Sequence, residues 1–198
     1  MRILGIDPGL KTTGYGIIDF DSSTSLRVNP ARPAIAASCN VAYAGSGDMR
    51  AREQSRRVEH NTIKLIETGV IEPKQKDVIE NRIHKIYKNL DAILLEHQPH
   101  IMVLEKLYAH YKHPTTACLL GHVRGVICLL CAVRNMTLVE YAVKRIRKAL
   151  TGNGNAPKLQ TRSMVARMLK IDEEKLTLDA SDALALALGH TYIIRAQV

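Results

Sequence analysis

Two kinds of apolar pattern alternate along this chain of 198 residues. Short runs that read as strands occupy 2–7 (RILGID) and 14–19 (GYGIID), joined by a turn carrying Pro8, Gly9 and Gly14. A third strand, 62–71 (TIKLIETGVI), would complete an antiparallel meander. Helical spacing then sets in: Val78, Ile79, Ile83, Ile86, Leu90, Ile93 and Leu94 follow Asp77 and Glu80, which resemble a capping pair. That helix ends near His97, where Pro99 stops it. A strand is expected at 100–105, a helix from Pro114 to about Val133, and a fifth strand at 137–142. A short basic helix (143–150) runs into the Gly152 turn. Pro157 falls in the first turn of the next helix, and the last helix runs from about Asp179 to Ile194. The order βββαβαβααα predicts one α/β domain over 1–198, with a mixed five-stranded sheet and helices on both faces.

The stretch 21–60 interrupts this plan. It is rich in Ser, Ala, Pro and Arg, and it separates two strands that a few residues could join. It holds a candidate strand (Ala34 to Ala44) and an arginine group (Arg50, Arg52, Arg56, Arg57). It reads as a solvated insertion, with an accessory surface for DNA or a partner as the sharper alternative.

Charge narrows the class. The net charge is +9, which points to a polyanionic partner without fixing fold or specificity. The four cysteines (Cys39, Cys118, Cys128, Cys131) offer neither a disulfide framework nor zinc-type CxxC pairs. They are expected to be reduced, with Cys128 and Cys131 in the core, as suits a cytoplasmic protein. No signal peptide is expected, because the chain starts on a strand. No membrane span is expected either, because His122 and Arg124 interrupt the most apolar helix.

Against that basic background, four acids stand at element ends. Asp7 and Glu105 close strand-like runs, and Asp179 and Asp182 open the last helix three residues apart. Each alone has an ordinary explanation: a turn-starting Asp, a strand-end Glu, or acids favoured by a helix dipole. Together they can converge at one sheet edge, where mutual repulsion calls for a hard cation such as Mg²⁺. With a polyanionic partner, the chemistry implied is metal-dependent hydrolysis of a phosphodiester.

The segment 140–170 carries eight cations against one acid, +7 of the chain's +9. They are Lys144, Arg145, Arg147, Lys148, Lys158, Arg162, Arg167 and Lys170, opposed by Glu140. Its GNGNAPK stretch reads as a flexible turn whose amides, with Lys158, would cradle phosphates. Gly121 and Gly125 in LGHVRG form a small-residue groove, suited to close packing on the sheet or to a helix–helix dimer contact. His110 and His113 sit where they could face DNA, and no ligand spacing requires a metal there.

In order and spacing these stretches resemble the RuvC family of Holliday junction resolvases. The likeness runs through GIDPGLKTTGYG, GVIEP, RIHKIYKNLDAIL, VLEKLY, LGHVRGV, VEYAVKRIRKALTGNGNAPKLQ and DASDALALALGH, covering nearly all of the chain outside 21–60. It implies a ribonuclease-H-like fold, a homodimer, and two Mg²⁺ ions per subunit, with Mn²⁺ able to replace them. Asp7, Glu105, Asp179 and Asp182 fall on its catalytic, metal-ligating positions. Tyr108 matches an aromatic that stacks on bases at the junction centre, and Lys158 a lysine near the scissile phosphate. Arg147 stands where the family commonly has lysine, so Lys148 competes for that role. Lys112 joins the expected DNA contacts. The substrate implied is four-way junction DNA, cut by paired symmetric nicks leaving 5′-phosphates, and family precedent adds a RuvA–RuvB branch-migration complex as partner. The family connection at 21–60 is much shorter, so nothing transfers there, and the loop between Tyr108 and Gly121 is one residue longer.

Three rivals remain from the residues alone. A related nuclease acting on RNA–DNA hybrids or RNA would show no preference for branched substrates. An actin-like ATPase shares the DPG hairpin but needs a second lobe that 198 residues do not supply. A junction binder without catalysis would gain nothing from four acids.

Overall fold

The computed structural model describes residues 1–21, 63–106 and 114–196. Its elements are β1 (Arg2–Asp7), β2 (Thr13–Phe20), β3 (Ile63–Ile71), α1 (Ile79–His97), β4 (Ile101–Glu105), α2 (Pro114–Val133), β5 (Thr137–Tyr141), α3 (Val143–Thr151), α4 (Lys158–Leu169) and α5 (Leu178–Arg195). The sheet order is β3-β2-β1-β4-β5. β1, β2 and β3 pair antiparallel, while β4 and β5 run parallel to β1. The chemistry of connections explains the division: a short turn suffices between β1 and β2, whereas each parallel neighbour needs a helical crossover. α1 and α2 supply those crossovers. The expected mixed five-stranded sheet is therefore the observed one.

Strand periodicity sorts the core onto two faces. Ile3, Ile18, Val103 and Tyr141 pack on one side with α3, α4 and α5. Leu4, Ile6, Ile17, Met102 and Leu104 pack on the other with α1 and α2. Counting in twos from Ile3 and Val103 puts Asp7 and Glu105 on the face that α5 covers. That parity is what brings them toward the acids of α5.

Two glycines set how closely α5 approaches. A Cβ on Gly5 would stand 2.0 Å from the Ala183 carbonyl oxygen, and one on Gly14 would stand 2.1 Å from that of Asp179. Any side chain at either position would lift the helix off the sheet. α5 is accordingly buried almost all round, from Ala180 to Ile193, as a helix lacking a polar face must be. Thr177 caps it, its hydroxyl accepting from the Ala180 N–H at 3.3 Å.

Several expectations are corrected. The α1 cap is Val78, in extended conformation with no side-chain cap bond, so Asp77 and Glu80 form no capping pair. Asp77 lies one residue too early, in a turn where its N–H bonds the Lys74 carbonyl at 3.1 Å. Pro157 is the cap of α4 rather than part of its first turn. Gly121 and Gly125 do not pack on the sheet: among the described residues, a Cβ on either would meet nothing within 4 Å. Cys128 is exposed, and only Cys131 of the expected pair is buried. Helical geometry explains both results, because α2 turns Val123, Ile127, Leu130 and Cys131 inward, leaving the glycines and Cys128 on the opposite side.

Thr115–Val133, with a mean hydropathy of 1.9, is long and apolar enough to meet the requirement for a membrane span, contrary to expectation. Its inward residues and the anchoring of Arg124 to the sheet identify it as a packed crossover helix. The expected strand at Ala34 to Ala44, the arginine group Arg50, Arg52, Arg56 and Arg57, and Cys39 lie outside the described residues. So do Tyr108, His110, Lys112 and His113.

Candidate active site

Asp7 ends β1, Glu105 ends the neighbouring parallel strand β4, and Asp182 lies in the first turns of α5. All three line one cleft together with Arg147 of α3. Asp179, one turn earlier on α5, seats its backbone against Gly14 and adds its charge to the field at Asp7. The four acids predicted from sequence are thus brought together, by strand parity and by the close approach of α5.

Their electrostatics follow from that crowding. Burial pushes the Asp7 carboxyl up to about 7, helped by the charges of Asp182, Glu105 and Asp179 and opposed by Lys158. Glu105 is also raised, first by burial and then by Asp182, with Lys158, Arg147 and Arg124 working the other way. Of the four, Asp182 holds a hydrogen-bonded cation: Lys158 Nζ at 2.8 Å. That bond in turn raises Lys158. Lys158 is 60% exposed, a counter-ion held at the rim and free to be displaced.

Burial, with the neighbouring acids adding to it, pushes Asp7 up to about 7, so the chain's own cations do not offset that burial and crowding. The donors are all oxygens, which fits hard divalent ions rather than zinc or copper. Asp7, Glu105, Asp179 and Asp182 therefore suit Mg²⁺.

The basic segment divides by position. Arg147 is half-buried in the cleft, whereas Lys148 is exposed and is not among the residues lining it. Of the two, Arg147 is the one placed at the cleft. Arg162 is held internally, its guanidinium donating to the Glu173 carbonyl, and Arg145 stacks over the Tyr141 ring at 5.2 Å. The GNGN turn is not an open amide cradle. Gly152 N–H bonds Lys148 O at 2.9 Å, Asn153 N–H bonds Thr151 Oγ1 at 3.2 Å, and Asn155 N–H bonds Asn153 Oδ1 at 3.0 Å. Ala156 N–H bonds Asn153 O at 3.1 Å. The turn instead closes α3 through Gly152 at φ 78° and presents Lys158 to the acids.

Sequence reasoning missed two groups. Arg124, first read only as an interruption of an apolar helix, donates to the Glu105 carbonyl oxygen at 2.7 Å. Glu67, Glu96 and His97 place their ligand atoms within 4.8 Å of one another. There Glu67 accepts from Tyr15 Oη at 2.5 Å and meets His97 Nε2 at 2.5 Å. The Tyr15 hydrogen bond holds Glu67 below the usual carboxylate range, with His97 assisting. These bonds already satisfy Glu67 and join β2, β3 and the end of α1, away from Asp7. Neither group has a local motif that periodicity could reveal.

Residues 55–190 match the family profile of the crossover junction endodeoxyribonuclease RuvC. The crossover junction endodeoxyribonuclease RuvC of Rhodopirellula baltica is 34% identical over 189 residues, covering 95% of this chain and 85% of that protein. That of Halorhodospira halophila is 33% identical over 191 residues, covering 96% and 90%. Among solved structures, Thermus thermophilus RuvC superposes with a TM-score of 0.72 at 20% identity, over 100% of this chain and 97% of that one. The same protein in complex with Holliday junction substrate gives 0.72 at 17% identity, over 99% and 96%. At such identities the structural likeness speaks for the fold alone. With the sequence likeness extending over nearly the whole chain, the chain belongs to the RuvC family of crossover junction endodeoxyribonucleases.

Proposed function

We propose that this chain resolves four-way DNA junctions, as a homodimeric endonuclease making paired symmetric nicks that leave 5′-phosphates. The observation that carries the reading is the convergence of Asp7, Glu105 and Asp182 with Arg147 in one cleft, with the Asp7 carboxyl lifted to about 7. Two Mg²⁺ ions, or Mn²⁺ in their place, held by Asp7, Glu105, Asp179 and Asp182, would supply Lewis-acid stabilisation of the charge that develops as the phosphodiester is displaced. Asp7, whose carboxyl feels the charges of Asp182, Glu105 and Asp179, would be the central ligand of this set. Lys158 would leave Asp182 for the scissile phosphate, and Arg147 would hold a neighbouring phosphate. Tyr108 would stack on an unpaired base, with Lys112 and Lys148 adding backbone contacts.

Branched DNA is favoured as substrate by family membership and by the relative from T. thermophilus, whose structure holds a Holliday junction substrate. Two opposed strands need two sites related by a two-fold axis. The outward face of α2 supports such a pairing: Leu129 is 57% and Val133 63% exposed, beside Gly121, Gly125 and Cys128. A cytoplasmic location and a RuvA–RuvB partner complete the proposal, as does a single nuclease domain carrying an insertion at 21–60. Deleting 24–58 would leave the melting transition in place if that segment is an appendage.

The deciding experiment is end-labelled cleavage of a mobile four-way junction with Mg²⁺, beside linear duplex and RNA–DNA hybrid. Paired nicks confined to the junction establish the resolvase. Cutting of the hybrid moves the activity to a ribonuclease, and tight binding without cutting leaves a structural binder.

A further inference from the structure

We propose that Arg124 is a positioning residue for Glu105, fixing the catalytic carboxylate through its backbone. The inference rests on the reading of Glu105 as a metal ligand. Arg124 lies on the buried side of α2, and its side chain is only 12% exposed. One arm of its guanidinium donates to the Glu105 carbonyl oxygen at 2.7 Å. The other pairs with the Glu140 carboxylate on β5.

The location gives this fork its significance. Glu105 is the last residue of β4, paired with Tyr141 at the end of the β4–β5 ladder. The next N–H, that of Lys106, still reaches the Tyr141 carbonyl at 2.8 Å. Strand ends open more readily than strand centres, and a ligand for Mg²⁺ must be held to near-ideal octahedral geometry. Arg124 therefore acts as a two-point clamp: it ties the terminal carbonyl of β4 to a carboxylate on β5, from a third element. A guanidinium can satisfy two separated acceptors at once in a fixed plane, whereas a lysine ammonium cannot reproduce that fork. Contact with substrate is not its role, because the side chain is largely buried and turned to Glu105 and Glu140.

The test compares full-length wild type with R124Q, R124K, E140Q and E105Q. Mn²⁺ binding without DNA is followed by electron paramagnetic resonance of the free ion. The Mg²⁺ midpoint of single-turnover junction cleavage and junction affinity in Ca²⁺ are measured beside it. We expect R124Q to weaken Mn²⁺ binding and raise the Mg²⁺ midpoint by about 10-fold, the scale seen when outer partners of metal ligands are removed, with junction affinity unchanged. R124K should shift the same way, and E140Q less. Wild-type metal binding and Mg²⁺ midpoint in R124Q, or a defect in junction affinity alone, would overturn the proposal. If R124Q does not fold, R124K and E140Q decide on the same readouts. Wild-type Mn²⁺ binding by E105Q would instead remove the reading of Glu105 beneath it.

Discussion

Lys158 Nζ lies 2.8 Å from Asp182 Oδ2, so the lysine matched by family resemblance to one near the scissile phosphate is the counter-ion of a carboxylate proposed to hold metal. On the proposed mechanism, metal and phosphate entering the cleft would each take one member of this pair. Lys158→Gln is therefore expected to act on the chemical step, slowing single-turnover cleavage by about 10²-fold at saturating Mg²⁺, the scale of losing one charge-stabilising donor. Junction affinity should fall little, since many other cations remain. Equal losses in binding and in rate would mean that Lys158 serves only to hold DNA.

Asp7 links activity to stability. Its carboxyl titrates at about 7 when folded, against about 4 in an unfolded chain. Between those values the folded protein keeps a proton that the unfolded chain has released. Stability without metal is therefore fully present below pH 4, declines as pH rises through 7, and stays low beyond. Asp7→Asn removes this slope. In EDTA at pH 8 the variant should be more stable than wild type by on the order of 2–4 kcal/mol, and it should not cleave. Parallel melting curves for the two proteins across pH 5–8 would show that Asp7 is not crowded as described.

Most of this site was legible before the fold was known, because parity and helix phase are sequence properties. Asp7 and Glu105 end strands, and period two places them with the inward residues Ile3 and Val103; Asp179 and Asp182 share a turn of an apolar helix. What sequence could not reveal depends on contacts between distant segments. Arg124 and Glu105 are 19 residues apart and meet only because α2 crosses the end of β4. Tyr15, Glu67 and His97 meet across β2, β3 and α1 in the same way. The amides of the GNGN turn illustrate a different limit: composition suggested donors open to phosphate, but Thr151 and Asn153 side chains and nearby backbone carbonyls take four of them locally. Gly121 and Gly125 left two readings open for a third reason, since small residues on an apolar helix look alike whether they face a sheet or a partner.

Gly14 tests whether helix approach controls the proposed metal ligands. Its absent Cβ leaves room for the Asp179 carbonyl, which would otherwise be 2.1 Å away. Gly14→Ala must displace the first turn of α5 and with it both of that helix's acids. Overpacking of this kind costs about 1–3 kcal/mol, and urea denaturation should show it. Cleavage by the folded fraction should also need more Mg²⁺ than wild type. A destabilised variant with an unchanged Mg²⁺ midpoint would separate packing from ligand placement.

Gly125 tests the dimer. Among the described residues nothing stands within 4 Å of a Cβ added there, so Gly125→Leu should leave the protomer fold intact. If two copies of α2 pack face to face, the added side chain must clash with the partner. The expected result is a protein with wild-type circular dichroism that sediments as a monomer at concentrations where the wild type is a dimer. On a four-way junction it should lose paired nicking and accumulate singly nicked product, because each strand would then be cut independently. Leu129→Glu, which places a charge on the same exposed face, should behave alike. A dimeric Gly125→Leu with coupled nicks would move the interface away from α2.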